Sequence, residues 1–441
     1  MPLNTDGDGD DGGGGGVGLR GRLVTGRPGE DVSDDGTVVV SGGRILWCGP
    51  TGDLPAGVDV EIQNVPLILP GLVDVHCHGA VGRTFSADAE GARLAAGHHA
   101  AQGTTSVLAS LVSAPSDVLL EQIAVLRELV QDGTLAGLHL EGPFIAKSMC
   151  GAQDPAAIID GDPGLLKLWL EAGQGTVRSL TLAPETPHFA ELVELCREYG
   201  VVPSLGHTDA TATRTREALA GVHGEGARGD GVHGEAAGGP WSATHLFNRM
   251  PPLGHRTPGP VAVLLQAARQ SPERMVLELV ADGIHLDPEI VRMVFGLVGP
   301  RSIALVTDAM AAAGMPDGPY TLGSLEVIVQ DRVARLATTD AGAQHGAIAG
   351  ATSHLLENVR RCVGWGIPLA DAVMAASSTP ARLTGLNGMG LDRQGPNRVG
   401  ALAAGNRADL LVTTDELELL QVYRAGTPLT QERSGRADHS V

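Results

Sequence analysis

Six side chains able to hold a divalent metal or carry a proton recur at one kind of position in this sequence. His76, His78, Glu141, His207, His245 and Asp308 each close, or lie just past, a short and largely apolar run. His76 and His78 are two residues apart, so on an extended strand both rings face one side, where two imidazoles form a chelate. Such a pair alone is weak evidence, because histidines at this spacing also occur in cores and on surfaces. Glu141 ends LAGLHLE, and Gly142 and Pro143 stop the strand behind it. A carboxylate there can hold one divalent metal or bridge two. His139, on the same face, reads as a packed residue beside the site. His207 (SLGHTDA) and His245 (ATHLFN) are single histidines closing apolar runs. One histidine so placed is more often a core residue; two at matching points of adjacent strands favour ligands. Imidazole, carboxylate and water suit Zn²⁺, with Fe²⁺ or another divalent metal as alternatives. Asp308 (IALVTDAM) can take a proton from metal-activated water and pass it to a departing amine. Capping the next helix is its plain structural alternative.

Bringing these residues to one point needs a scaffold whose strand ends converge. The candidate strands are residues 72–77, 105–111, 135–141, 177–183, 201–207, 241–246, 275–281 and 303–309, with amphipathic stretches such as SDVLLEQIAVLRELVQDG, HFAELVELCREYG and PEIVRMVFGLVG between them. Eight buried strands alternating with helices predict a (β/α)₈ barrel, whose active sites form at the C-terminal strand ends. Before the barrel, RGRLVTG, GTVVVSGGRILWCG and VDVEIQNV alternate like sheet strands, and GNRADLLVTTDELELLQVYRAG returns to that pattern after it. Between barrel and late strands, YTLGSLEVIVQDRVARLA reads as a hairpin, followed by two helical stretches. The predicted fold class is therefore α/β, a (β/α)₈ TIM-like barrel (67–394) inserted in a small β-sandwich domain built from both chain ends (17–66 plus 395–426). Residues 1–16 form a Gly/Asp tail expected to be disordered, and 427–441 a flexible tail. The segment 221–239 contains GVHGE twice, and its His223 and His233 are read as part of an expanded surface loop.

Composition narrows the partners. With 441 residues, 43% hydrophobic and 19% charged, the chain can build a barrel plus an accessory domain; at 3% aromatic residues, Val, Leu, Ile and Ala must fill the core. A formal charge of −20 argues against nucleic-acid binding, which needs clustered cations, but leaves room for a small anionic substrate. Five scattered cysteines without a CxxC pair point to a reducing, cytoplasmic setting. No apolar run is long enough to span a bilayer, so no membrane partner is expected.

Beyond these features, PGLVDVHCHG, LHLEGPF, GHTDA, THLFNRMPPLGHRTPG, ADGIHLDP and LVTDAM occur in an order that resembles the N-acetylglucosamine-6-phosphate deacetylases of the amidohydrolase superfamily, over roughly residues 20–425. The resemblance implies a small phosphorylated N-acetyl amino sugar as substrate and a homodimer. It assigns Glu141, His207 and His245 to the principal metal, His76 and His78 to a second, and Asp308 to acid/base catalysis. It places His285, Asn248, Arg249, Arg256, Ala152 and the turn Ile348, Ala349, Gly350 against substrate, with Arg256 gripping phosphate and able to cross a dimer interface. A guanidinium suits that task through bidentate hydrogen bonding. Gln153 stands where the family usually has a substrate-touching histidine, and an amide can donate but cannot become cationic. The family commonly has a small residue at Arg249, which therefore either adds a phosphate contact or points outward. Cys150 is either a residue of a loop over the substrate or a tolerated small side chain. The resemblance leaves three alternatives: the galactosamine epimer, another amidohydrolase acting on a small amide, and a decayed, non-catalytic barrel. No lysine closes the fourth strand as a carbamate bridge, which disfavours the second; the complete polar set disfavours the third.

Overall fold

The computed structural model describes residues 16–221, 239–337, 346–388 and 398–429. His223 and His233 lie outside the described residues, as do 1–15 and 430–441. Eight parallel strands form one sheet in chain order: β1 (Val73–Cys77), β2 (Ser106–Val112), β3 (Gly137–Glu141), β4 (Val177–Leu182), β5 (Val202–Leu205), β6 (Trp241–Ala243), β7 (Met275–Val280) and β8 (Ile303–Val306). Nearly every strand residue is buried, because helices cover the outer face and side chains fill the inner one. The helix Ser116–Gln131 shows the logic: Leu119, Ile123, Leu126 and Leu129 recur at helical spacing and are its buried face. Pro288–Val298 starts where its sequence says it should, with Asp287 accepting a hydrogen bond from Glu289 N at 2.8 Å and proline in the first turn.

The barrel closes at its functional end. β8 and β1 are joined just past their C-termini, where Asp308 N donates to His76 O (2.9 Å) and His78 N to Ala309 O (2.7 Å). Closure therefore fixes Asp308 against the His76–His78 pair. Three strands are shorter than the sequence suggests: β5, β6 and β8 stop two residues before His207, His245 and Asp308. Those residues adopt left-handed backbone, with φ of 48°, 26° and 51°. A ladder cannot continue through that conformation, and the turn swings each side chain over the barrel mouth.

The chain ends meet in a second, seven-stranded sheet, ordered Thr427–Leu429, Leu419–Arg424, Leu410–Thr413, Ile62–Pro70, Val17–Leu23, Ser33–Ser41, Arg44–Pro50. The late strand Leu410–Thr413 lies antiparallel to the early Ile62–Pro70, and Leu19, Leu23, Val38, Ile45, Ile68, Leu402 and Leu410 share one core. Thr427–Leu429, which the sequence leaves in the flexible tail, is an edge strand of this sheet. Ala425 and Gly426 take left-handed backbone (φ 48° and 76°), the two-residue turn that matches strand twist. A second difference concerns the hairpin: it is a three-stranded meander, Gly318–Leu322, Leu325–Gln330 and Val333–Leu336. Asp331 and Arg332, both at positive φ, make the extra turn.

A buried ion pair ties sheet to barrel. Asp409 is 2% exposed at its side chain and pairs with Arg407 through both carboxylate oxygens, while Arg407 Nη2 reaches Ser106 Oγ of β2 at 3.0 Å. Removing the cation leaves a buried, unpaired carboxylate. Arg407→Ala should therefore lower stability by about 3 kcal/mol or more, read as a fall in the chemical-denaturation midpoint; an unchanged midpoint would show the pair to be dispensable.

Candidate active site

The six residues read from the sequence converge at the barrel mouth. Glu141, closing β3, sits between two histidine pairs. Its Oε1 is 3.0 Å from His207 Nε2 and 3.1 Å from His245 Nε2. Its Oε2 is 3.3 Å from His78 Nε2, and Oε1 is 3.5 Å from His76 Nε2. Within each pair the Nε2 atoms are close: 3.2 Å for His76 and His78, 3.1 Å for His207 and His245. Asp308 faces the first pair, its Oδ1 at 3.5 Å from His76 and 3.3 Å from His78. All six are buried.

Whether this cluster suits a metal ion turns on which ring nitrogen faces in. Three rings are tethered outward through Nδ1: His76 to Glu278 Oε2 (3.0 Å), His78 to the Ser110 carbonyl (3.1 Å) and His207 to the Met149 carbonyl (2.9 Å). These acceptors require Nδ1–H, so each neutral ring aims its Nε2 lone pair inward. That tautomer and tether are the usual arrangement of a ligating histidine. His245 Nδ1 has no hydrogen-bond partner among the described residues, but its backbone N donates to Glu278 Oε2 at 3.3 Å. Ligand atoms of Glu141, His207 and His245 lie within 4.8 Å of one another, as do those of His76, His78 and Glu141. The donors fit one or two divalent ions.

Charge supports the same reading. Burial alone would lower the His76 pKa, but Glu141, the Glu278 hydrogen bond and Asp308 push it up to about 9. His78, also buried, is pushed up to about 10 by its contacts with Asp308 and Glu141. Against burial, those imidazoles hold Asp308 below the usual carboxylate range, His78 by hydrogen bonding and His76 by charge, and Glu141 is held well below it by His76, His207 and His245. His139 behaves differently. Burial, with His76 beside it, drives its pKa far down, and the neutral ring bridges Ser110 Oγ (2.9 Å) and Thr181 Oγ1 (2.8 Å).

The remaining candidates are spread around this centre. His285 Nδ1 is held by Asp282 Oδ2 at 2.8 Å, leaving Nε2 at 3.9 Å from Asp308 Oδ2. Gln153 lies against Glu141 and Ser113. Asn248 Nδ2 donates to the His245 carbonyl (3.1 Å), and Arg249, at φ 53°, lays its side chain over Gly151. Gly350 faces the Asp308 carbonyl so closely that a Cβ would stand 2.9 Å from it, and Ala351 N donates to that carbonyl at 2.7 Å. Ala349 is buried beside Met310 with Ala152 packed against the same cluster, and Ile348 bridges to Arg335. Arg256 is exposed and lies outside the cluster in this single chain.

The Amidohydrolase family pattern matches residues 67–429. The chain belongs to that family. Its fold superposes on the crystal structure of N-acetyl-D-glucosamine-6-phosphate deacetylase from Mycobacterium smegmatis with a TM-score of 0.80 at 35% identity, covering 95% of this chain and 100% of that one. It is 31% identical over 380 residues to N-acetylglucosamine-6-phosphate deacetylase of Bos taurus, covering 84% of this chain and 85% of the relative. It is also 31% identical over 379 residues to N-acetylgalactosamine-6-phosphate deacetylase of Escherichia coli O157:H7, covering 84% and 90%.

Sequence reasoning missed the tethers. Glu278, the one charged residue of MVLELVA, was detectable as an acid in a buried strand; so was Asp74, which accepts from Thr307 Oγ1 at 2.6 Å beside His76. The carbonyls of Ser110 and Met149 carry no side-chain signal. One consequence of the tethers can be measured. Because the His76 and His78 pKa values are raised, the pair holds protons on the metal-free protein at neutral pH, on its inward side. A metal ion must expel those protons. Metal affinity should therefore rise with pH until about 9–10, the range of the two raised values. Calorimetric Zn²⁺ titrations in buffers of different ionisation enthalpy should show proton release at pH 7.5; buffer-independent heats would contradict it.

Proposed function

We infer that this amidohydrolase removes the acetyl group of N-acetylglucosamine 6-phosphate, giving acetate and glucosamine 6-phosphate. The observation that carries this reading is Glu141 shared between two inward-facing histidine pairs, with Asp308 opposite, in a chain related to deacetylases of that substrate. Glu141, His207 and His245 would hold one divalent ion and His76, His78 and Glu141 a second, with Zn²⁺ the preferred metal for this nitrogen and oxygen donor set. A divalent ion held there would supply Lewis acidity, lowering the pKa of water towards about 7 and polarising the acetyl carbonyl.

The protein's own groups then manage the proton. Asp308, ionised and within 3.5 Å of both His76 and His78 Nε2, accepts the proton of the attacking water. It returns that proton to the amine nitrogen as the C–N bond breaks. His285, fixed by Asp282, lies beside Asp308, where it would touch the sugar. Asn248, Arg249, Ala152 and the turn at Ile348, Ala349 and Gly350 line the substrate side. Exposed Arg256 is available to a phosphate, including one in a neighbouring subunit of a homodimer. Five unpaired cysteines accord with a cytoplasmic setting, and among the described residues no helix is long and apolar enough to cross a membrane.

The Escherichia coli relative makes N-acetylgalactosamine 6-phosphate the second substrate to test. Acetate release should be measured on both epimers, each with and without the 6-phosphate, alongside metal content. Activity confined to unphosphorylated sugars would overturn the substrate assignment. Asp308→Asn should keep its metal and lose about 10²–10⁴-fold in kcat; full turnover in that variant would falsify its acid/base role. Arg256→Ala should raise KM for the phosphorylated sugar roughly 10- to 100-fold, the cost of a charged hydrogen bond, and leave the unphosphorylated sugar unaffected.

A further inference from the structure

Gln153 occupies a position where the sequence suggested a substrate contact, yet both ends of its amide are engaged by the protein. The residue is 3% exposed. Its Oε1 accepts a hydrogen bond from Ser113 N at 2.7 Å. A backbone N–H can only donate, so this contact settles which end of the amide is oxygen. Nε2 therefore faces Glu141 Oε2, at 2.5 Å. The surroundings hold the arrangement in place: Ser113 Oγ donates to the Glu141 carbonyl at 3.1 Å, Gln153 N to Cys150 O at 3.0 Å, and Ser324 Oγ to Asp154 Oδ2 at 2.8 Å.

The two oxygens of Glu141 have different tasks. Oε1 faces His207 and His245, with His76 further off at 3.5 Å, while Oε2 faces His78. A carboxylate can serve both histidine pairs only while its plane keeps one roll about the terminal side-chain torsion, which is intrinsically soft. The Gln153 N–H is the donor from outside the histidine cluster that meets this carboxylate, and it meets the oxygen on the His78 side. With its carbonyl end turned to Ser113 N, the amide presents an N–H, and not a lone pair, to the carboxylate.

We propose that Gln153 is a positioning residue that fixes the roll of Glu141, so that one carboxylate holds a divalent ion with His207 and His245 and a second with His76 and His78. This rests on the metal-site reading above. It separates two roles that one position could play: a substrate contact changes KM and leaves metal binding alone, whereas a clamp on Glu141 changes the second ion first.

The test is a titration of the metal-free full-length chain with Zn²⁺ alone, by calorimetry and by metal analysis after gel filtration, on wild type, Gln153→Ala and Gln153→Met. Methionine keeps the volume and removes the donor, so it decides the matter if the alanine variant fails to fold. Wild type should bind two ions. Both variants should bind the first within a few-fold of wild type and the second about 10- to 100-fold more weakly, the usual effect of losing a ligand's outer partner. Two ions bound with unchanged affinity, together with a raised substrate KM, would overturn the proposal and make Gln153 a substrate residue. A wild-type chain that binds a single ion would also overturn it, while leaving the hydrolase reading intact. A wild-type chain that binds none would remove the metal reading itself.

Discussion

A single carboxylate buried among four imidazoles governs this molecule's functional end. In such a pocket a charge is tolerated only when it is paired, and the pairing must be reciprocal. Glu141 is paired by rings arriving from β1 and from the turns after β5 and β6; those rings are in turn held by Glu278, Ser110 and Met149. The result is a set of inward Nε2 atoms and two carboxylates, Glu141 and Asp308, packed close enough that a cation, bound as proton or as metal, relieves the crowding. The positive-φ residues belong to the same economy of space. His207, His245 and Asp308 leave their strands in a conformation that non-glycine residues rarely adopt, and closure of the barrel and the hydrogen bonds at the mouth hold them there.

The rest of the fold serves that convergence. The barrel brings strand ends that are distant in sequence to one rim, and its seam between β8 and β1 is stitched by backbone bonds at His76, His78, Asp308 and Ala309. The second sheet takes both ends of the chain and braces the start of β2 through Arg407 and Asp409. The three-stranded meander lies against the turn at Ile348, Ala349 and Gly350, where Ala349 N bonds to Ala334 O and Gly350 leaves room for the Asp308 backbone. Glycine is required there on two counts, since the residue has φ of 72° and a Cβ would meet the Asp308 carbonyl.

Much of this was legible in the residues themselves. The alternation of apolar runs with amphipathic helices specifies a (β/α)₈ barrel, because strands buried on both faces need helices between them. Polar side chains at the ends of such strands can only meet at the mouth, so His76, His78, Glu141, His207, His245 and Asp308 could be named from position and type. Glu278 and Asp74 carried a signal too, as acids inside apolar strands. Thr427–Leu429 did not: three polar or neutral residues become a strand because a preceding turn folds them back on Leu419–Arg424.

The sequence by itself determined which side chains could bind a cation and the end of the barrel at which they stand. It did not determine which nitrogen of each ring faces inward, which oxygen of Glu141 faces which histidine, or that the Gln153 amide would turn its nitrogen toward Glu141. Those choices are made by the carbonyls of Ser110 and Met149 and by the N–H of Ser113. Every residue has such backbone groups, so they leave no mark in the sequence. Their directions are set only when strands far apart in the chain come into register.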